Sequence, residues 1–526
     1  MSNSNTVASV STKLFLLSLL SPLVGILVEI SLANTFGSSA LVDAYRISFL
    51  LLMFGAQLFF GQLVTGVLVP LVADYNAKGM EQEGWRVAFS IAGGMVLVTL
   101  PGVVFVVFKP EVLQQLLGPG LTADAALQAQ LMLRFFAIVF LVYIWTGVIN
   151  GLLHSYQVFW VQPVAQLVAN ASLVCLIIVA GRRLQEWGFI IAVGFASVLS
   201  ILFCAIAIRR VSLRHSVSLS SCFRIKLSII PLDMLRLAVP IIGLIFATMW
   251  SSLVVNRSLS EISVGAVADY GYAIKFEMLG SLLPLTLATV LFPRLASAAS
   301  SKDMESMAHL ASRGLQWMLF ISVPAAVVIF FVREPLVVVF YQHGEMSNDG
   351  IRRVSDFLGI LSFVIPVAAS NYLLFKVSYA MKNSVAPLIG QLIVAVGLSL
   401  LASTATQYGG ENGIVAVYAS LTWIAVIFLV IYLQSKYGFW GHRQSMKFLW
   451  RLVVSVVLTA FAMKIANVFV LWLSLKDGGY EGVASICLVM FVGLCTFLFV
   501  AKLLKFQELD EIKSLFLSVR LGRFIS

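Results

Sequence analysis

Apolar positions along the chain neither alternate nor recur every third or fourth residue; they run in long unbroken tracts, with polar residues gathered between them. Each tract holds about 20 residues or more, enough for a helix to cross the roughly 30 Å hydrocarbon layer of a bilayer. The tracts lie at 12–34, 43–70, 86–108, 127–152, 158–180, 187–208, 236–256, 264–293, 308–332, 354–382, 384–403, 413–435, 447–473 and 483–505. In lipid every backbone N–H and C=O must be satisfied within the span, so the pattern predicts an all-α integral membrane protein of about fourteen transmembrane helices. The tracts at 264–293 and 354–382 exceed one perpendicular crossing, so those helices are tilted, kinked or extended past the bilayer.

Composition agrees: 60% of the residues are hydrophobic and 11% charged, and the mean hydropathy is +0.99. The net charge of +11 follows topology. Arg209, Arg210, Arg214, Arg224, Lys226 and Arg236 cluster after the sixth span; Lys436, Arg443, Lys447 and Arg451 follow the twelfth; Lys502, Lys505, Lys513, Arg520 and Arg523 occupy the tail. Basic residues concentrate on the cytoplasmic side, which predicts a multi-pass protein with both termini cytoplasmic. Arg182, Arg183, Arg352 and Arg353 point mildly the other way and are outweighed. Basic residues at membrane edges meet anionic lipid, so membrane lipids are expected partners and nucleic acid is not. The first span lacks a basic leader and a small-residue cleavage site, as expected of a retained helix.

An internal repeat divides the chain. "GVLVPLVADYNAKG" and "SYQVFWVQPVAQLVAN" in the first half answer to "TVLFPRLASAASSKD" and "SYAMKNSVAPLIGQLIVA" in the second; Pro70 pairs with Pro293, Tyr156 with Tyr379, Pro163 with Pro387 and Gln166 with Gln391. An offset of six helices gives two pseudo-symmetric six-helix lobes of one orientation, an arrangement suited to alternating access. The expected division is 1–235 for the N-lobe, 236–446 for the C-lobe and 447–526 for two additional helices and the tail.

No phosphate-cradling GxxxxGK[ST], HExxH or GxSxG occurs, and no large extramembrane loop could bind a soluble cosubstrate. The reading is a transporter and not an enzyme, with no cofactor expected. The five cysteines lack metal-ligand spacing and read as packing residues.

Charges inside the spans then carry the information, because each costs about 2.5 to 3.5 kcal/mol at a span centre unless it is paired or hydrated. With the termini inside, Glu29, Arg46, Arg134 and Lys275 fall at one depth in the outer half of spans one, two, four and eight, near Asp43, Asp269 and Glu277. The alternative is snorkelling with local pairs such as Asp43 with Arg46 at i and i+3. Arg46, Arg134 and Lys275 are the candidate substrate-binding residues, since Arg and Lys donate charge-assisted hydrogen bonds to phosphate oxygens. Glu29, Asp43, Asp269 and Glu277 are the candidate gate or ion-coupling residues, and the coupling expected is to the membrane potential or a monovalent cation.

The ordered set "NTFGSSALVDAY", "VPLVADY", "GPGLTAD", "YAIK", "LFPRLA" and "VFYQHGEMS" resembles the MurJ/MviN family of lipid II flippases, within the multidrug/oligosaccharidyl-lipid/polysaccharide exporter superfamily. The resemblance implies a flippase of the bacterial cytoplasmic membrane that translocates an undecaprenyl-diphosphate-linked saccharide, with cell-envelope glycan synthesis machinery as further partner. It also implies a cavity lined by spans one, two, seven and eight and a lipid-tail groove on spans thirteen and fourteen. Asp43 matches the acidic residue of FG-x5-DA, Glu29 matches an acidic position of span one, and Lys275 stands where the family has arginine. Pro22, Val28, Ala56 and Gln57 occupy positions where the family commonly carries basic residues. A flippase for an exopolysaccharide or other envelope glycan, and a multidrug or cation antiporter of the same superfamily, are the alternatives.

The orientation is tested by single cysteines at Ser38 and Ser218 in a background without native cysteines. An impermeant thiol reagent should label the first from outside and spare the second; the reverse pattern would invert the topology.

Overall fold

The computed structural model describes residues 23–60, 68–222, 232–439, 442–472, 480–509 and 511. The start of the first expected span, part of the basic segment after the sixth, and the tail with Lys513, Arg520 and Arg523 lie outside the described residues. The chain runs through α1 (Leu23–Phe36), α2 (Ala40–Phe60), α3 (Val69–Ala77), α4 (Glu81–Phe108), α5 (Pro110–Leu117), α6 (Ala123–Ser155), α7 (Val161–Leu184), α8 (Glu186–Arg214) and α9 (Leu219–Cys222). It continues through α10 (Leu232–Ile262), α11 (Ala266–Ser300), α12 (Met304–Tyr341), α13 (Asn348–Ser362), α14 (Ile365–Ala380), α15 (Val385–Tyr437), α16 (His442–Trp472) and α17 (Tyr480–Leu503). No strand occurs among the described residues.

Eleven of these helices are long and apolar enough to cross a membrane, and α13 with α14, bent by 45°, passes the same test as a pair, a twelfth if the two are one broken span. The 53 residues of α15 would reach about 80 Å as one rod, more than twice the hydrocarbon thickness. Gly410 breaks it, with φ 55° and ψ −140°, so its two arms supply the spans expected at 384–403 and 413–435. With α1 as the described part of span one, the expected series is accounted for. Helix ends follow local chemistry. Thr122 caps α6 by accepting from the Ala125 amide, and Asp303 caps α12 by accepting from the Ser306 amide at 2.9 Å. Hydrogen bonds from Ser306 hold the Asp303 carboxyl below its ordinary value. Gly438 ends α15 in the left-handed conformation.

Contacts divide the chain into two units, one reaching to Gly271 and including 343–347 and 402–406, the other holding the remainder. In the first, Phe59, Trp85, Phe140, Ile144 and Leu152 build a core between α2, α4 and α6. Trp85 is fully buried, and its indole N–H donates to the Tyr156 hydroxyl at 2.8 Å. Apolar side chains gain nothing from leaving lipid tails for one another, so close backbone approach does the work. Gly147 of α6 lies directly against the Phe59 carbonyl of α2, where a Cβ would overlap.

In the second unit Leu291, Met318, Leu373 and Leu429 join α11, α12, α14 and α15. The terminal pair α16 and α17 packs on α12 through two clusters, one around Phe320, Phe448 and Phe497, the other around Val332, Met463 and Val489. Beyond α17, Arg313 of α12 pairs with Glu508 at 3.3 Å, and the Trp317 indole donates to Glu511 at 2.7 Å. The cysteines correct the packing expectation in part: Cys204 and Cys222 are buried, but Cys175, Cys487 and Cys495 lie on exposed faces, because an apolar thiol is tolerated against lipid as readily as in a core.

Gly147→Ala should destabilise the protein by about 1 to 3 kcal/mol through overpacking, read as a lowered melting temperature in detergent. Gly102→Ala, whose Cβ would meet open space, should be neutral or slightly stabilising. Equal effects would remove the packing argument.

Candidate functional site

Glu29 and Arg46 come together because the turn between α1 and α2 is tight. Gly37 takes φ 56°, a conformation that costs a side-chain-bearing residue energy and glycine almost none. The two helices fold back as a hairpin, and Arg46 Nη2 meets Glu29 Oε2 at 2.5 Å with the side chains only 13% and 5% exposed. Gly271 of α11 makes the room: a Cβ there would overlap the guanidinium. A buried charge without its counter-charge is strongly unfavourable, so each member of this pair holds the other in place.

Asp43 lies three residues before Arg46, but the local i, i+3 pair of the alternative reading does not form. The Arg46 ion pair runs to Glu29, while the Asp43 carboxylate accepts from the backbone amides of Gly265 at 2.6 Å and Ala268 at 2.7 Å. Gly265 immediately precedes α11 and Ala268 lies in its first turn, where the amides have no partners within their own helix. A side chain of α2 therefore caps α11, and the negative charge complements the positive end of the helix dipole. The clasp is reciprocal: Asp269, in that same first turn, accepts from the Ser38 hydroxyl of the α1–α2 turn at 2.5 Å. Gly265 turns at φ 85°, and a Cβ there would strike the Ser38 carbonyl.

Two further motif segments, 118–124 and 343–347, also belong to the first unit. The Glu345 amide donates to the Asn34 carbonyl at 3.1 Å, Arg182 pairs with Glu345 at 2.6 Å, and Ser38 reaches the Met346 sulfur at 3.4 Å. Gly120 packs flat against the Ser260 carbonyl at the end of α10. "NTFGSSALVDAY", "GPGLTAD" and "HGEMS" thus spell turns that interlock.

Other expected residues are placed apart from this cluster. Arg134 is exposed, on the face of α6 that also presents Leu127 and Ile138. Lys275 and Glu277 belong to the second unit. Lys275 is half-buried; Glu277 accepts from the Ser281 hydroxyl at 3.1 Å. Sequence reasoning missed Gly265 and Gly271, whose only signal was smallness beside charged residues. No group of three or more metal-ligating residues occurs among the described residues. The arrangement can hold an anionic group by exchange for Glu29, and it can latch and release two turns.

The family model described as "Lipid II flippase MurJ" matches residues 32–476. A probable lipid II flippase MurJ of Rhizobium meliloti (strain 1021) is 25% identical over 465 residues, covering 85% of this chain and 84% of that protein. A lipid II flippase MurJ of Burkholderia cenocepacia is 23% identical over 405 residues, covering 72% and 74%. A solved lipid II flippase MurJ in an inward closed conformation aligns with a TM-score of 0.74 at 18% identity, over 93% of this chain and 97% of that one. An inward-facing multidrug resistance transporter of the MATE family aligns at 0.66 and 14%, over 80% and 94%. The structural likenesses establish the fold.

Removing one member of the Glu29–Arg46 pair should cost about 3 to 5 kcal/mol. Glu29→Gln or Arg46→Gln should therefore lower the melting temperature sharply, while the double variant recovers most of the loss. Additive losses would mean that the two charges do not depend on each other.

Proposed function

The chain belongs to the MurJ family of lipid II flippases, and on that footing we propose that it carries lipid II, a polyprenyl-diphosphate-linked saccharide, from the inner to the outer leaflet of the bacterial cytoplasmic membrane. The observation that carries this reading is the length of the family match, 32–476, which takes in every motif of the interlocked turns. The protein is a transporter, a multi-pass bacterial membrane protein, and not a catalyst.

In this reading both termini are cytoplasmic and the interlocked turns are the outer gate. Opening it separates Asp43 from two backbone amides and Ser38 from Asp269, five groups that water at the outer face can then satisfy. Arg46 is held by Glu29. A diphosphate offers more negative charge and more acceptor oxygens than one carboxylate, so it competes for the guanidinium. Glu29, once released, is the group left to take up a proton or monovalent cation, a natural point of coupling to ion gradients or membrane potential. Lys275 of the second unit and Arg134 of the first are further cations for anionic headgroups, and Glu277, two residues on from Lys275, balances its charge. The envelope-glycan synthesis machinery is the expected source and consumer of the cargo.

Depleting the protein should swell the lipid II pool in the inner leaflet and cause lysis, and another lipid II flippase should rescue the cells. Lys275→Ala should abolish rescue while the protein remains inserted and folded. Viable cells that lose one surface glycan and resist rescue would assign an exopolysaccharide unit instead. Unchanged lipid-linked intermediates would sink the flippase reading.

A further inference from the structure

The second unit carries a cation to which the flippase reading gives no role. Lys376 lies in α14, inside the apolar tract at 354–382, and is half-buried. Its ammonium sits over the Phe292 ring of α11, 4.9 Å from the centroid, and it has no ion pair among the described residues. The Glu277 carboxylate acts electrostatically on Tyr372, one turn before Lys376, but not on Lys376 itself. An aromatic face attracts a cation without cancelling its charge, so the lysine is held in place with that charge still available.

Packing does not explain a charge there. The internal repeat that matches Pro70 with Pro293 and Tyr156 with Tyr379 also matches Leu153 with Lys376 and Val69 with Phe292. Leu153 is fully buried in the core of the first unit, so an apolar side chain completes the lobe at this position. The second unit instead keeps a lysine in a span, where an unpaired charge is costly. Nor does the helix dipole call for it, since the last turn of α14 holds no basic residue. Tyr372 and Tyr379, four residues before and three after, share its face of the helix. Tyr372 is exposed, and Ile149 stands at its place in the first unit. One face of α14 thus sets an ammonium between two phenol hydroxyls, a group of donors suited to phosphate oxygens.

We propose that Lys376 is an inner phosphate site of the carrier, where the diphosphate of the lipid-linked cargo is held at the cytoplasmic side. The inference rests on the flippase reading and on its orientation, in which α14 runs toward the cytoplasm and Lys376 lies about 6 Å from the inner end of that helix. Through Phe292 the ammonium reaches α11, the eighth span, which the family resemblance places on the cavity. The helix rise from Lys275 to Phe292 along α11 is about 25 Å. The two lysines therefore mark opposite ends of one helix. A diphosphate that leaves the inner leaflet beside Lys376 has a second cation to meet at the outer end, and the aromatic seat holds the first without a carboxylate to be displaced.

The test uses the full-length protein in phosphatidylcholine nanodiscs, titrated with lipid II and separately with phosphatidylglycerol, which carries a phosphate but neither diphosphate nor saccharide. Lys376→Leu copies the residue that the first unit has at the matching position. It should keep or raise the melting temperature and weaken lipid II binding about tenfold, as expected for the loss of one charge-assisted contact. Lys376→Arg should retain most of the affinity, and phosphatidylglycerol binding should change little in either variant. A sharply lowered melting temperature for Lys376→Leu would assign the lysine to the fold and overturn the site. Undiminished lipid II affinity in that variant, or a loss confined to phosphatidylglycerol, would also overturn it and leave the lysine as an anchor for ordinary headgroups. In each of these outcomes the wild-type protein still binds lipid II; a wild-type protein that does not bind it would overturn the flippase reading and the site with it.

Discussion

A carboxylate seated on the first amides of another helix is the constraint from which the ordered end of the first unit follows. The N-terminus of α11 presents donors that its own backbone cannot satisfy, at a position where the chain must also reverse from α10. Asp43 accepts from two of them, and this anchors α2 to α11 at that point. With the anchor set, Ser38 falls opposite Asp269, Arg46 passes over Gly271, and Glu29 meets the guanidinium from α1. Four acidic or basic groups are thereby accommodated within a short stretch of protein, each against a specific donor or acceptor. A neutral residue at 43 would leave two N–H groups to water or to nothing, and the turn would lose its register.

Much of this was legible in the sequence, though not the bonds themselves. The apolar tracts gave the spans because lipid imposes one rule on every backbone group, and that rule acts locally. The break at Gly410 was visible as a polar gap between two tracts. The equal depth of Glu29 and Arg46 followed from helix rise alone. The partner of Arg46 did not, because Asp43 and Glu29 were both within plausible reach and the choice depends on Gly265 and Ala268, more than two hundred residues away. Charge announces itself in a membrane sequence; an amide must be seen with its neighbours.

The interlocked turns also explain why the motifs carry no recognisable chemistry. Gly37, Gly120, Gly265 and Gly344 each lie against a backbone carbonyl where a Cβ would overlap. Their role is close approach, and the polar residues among them supply hydrogen bonds across the gap. Such an end is strong when every contact is made together and weak when any is lost, since each contact holds the geometry of the next. That is the behaviour expected of a latch between two states and not of a permanent weld, which would use apolar packing.

The scarcity of basic residues in the first two spans fits the same logic. Val28 is buried and apolar, and Ala56 and Gln57 bring no charge, so among the described residues of α1 and α2 the cation is Arg46, with Glu29 upon it. A cavity with several unneutralised arginines would hold an anion tightly and release it slowly. One arginine whose charge is already matched binds only by exchange, and the carboxylate is at hand to recover it. Such exchange lowers the affinity for any single phosphate group and shifts discrimination to parts of the cargo that carry no charge. Weak, reversible capture of the charge is what a carrier that must release its cargo requires.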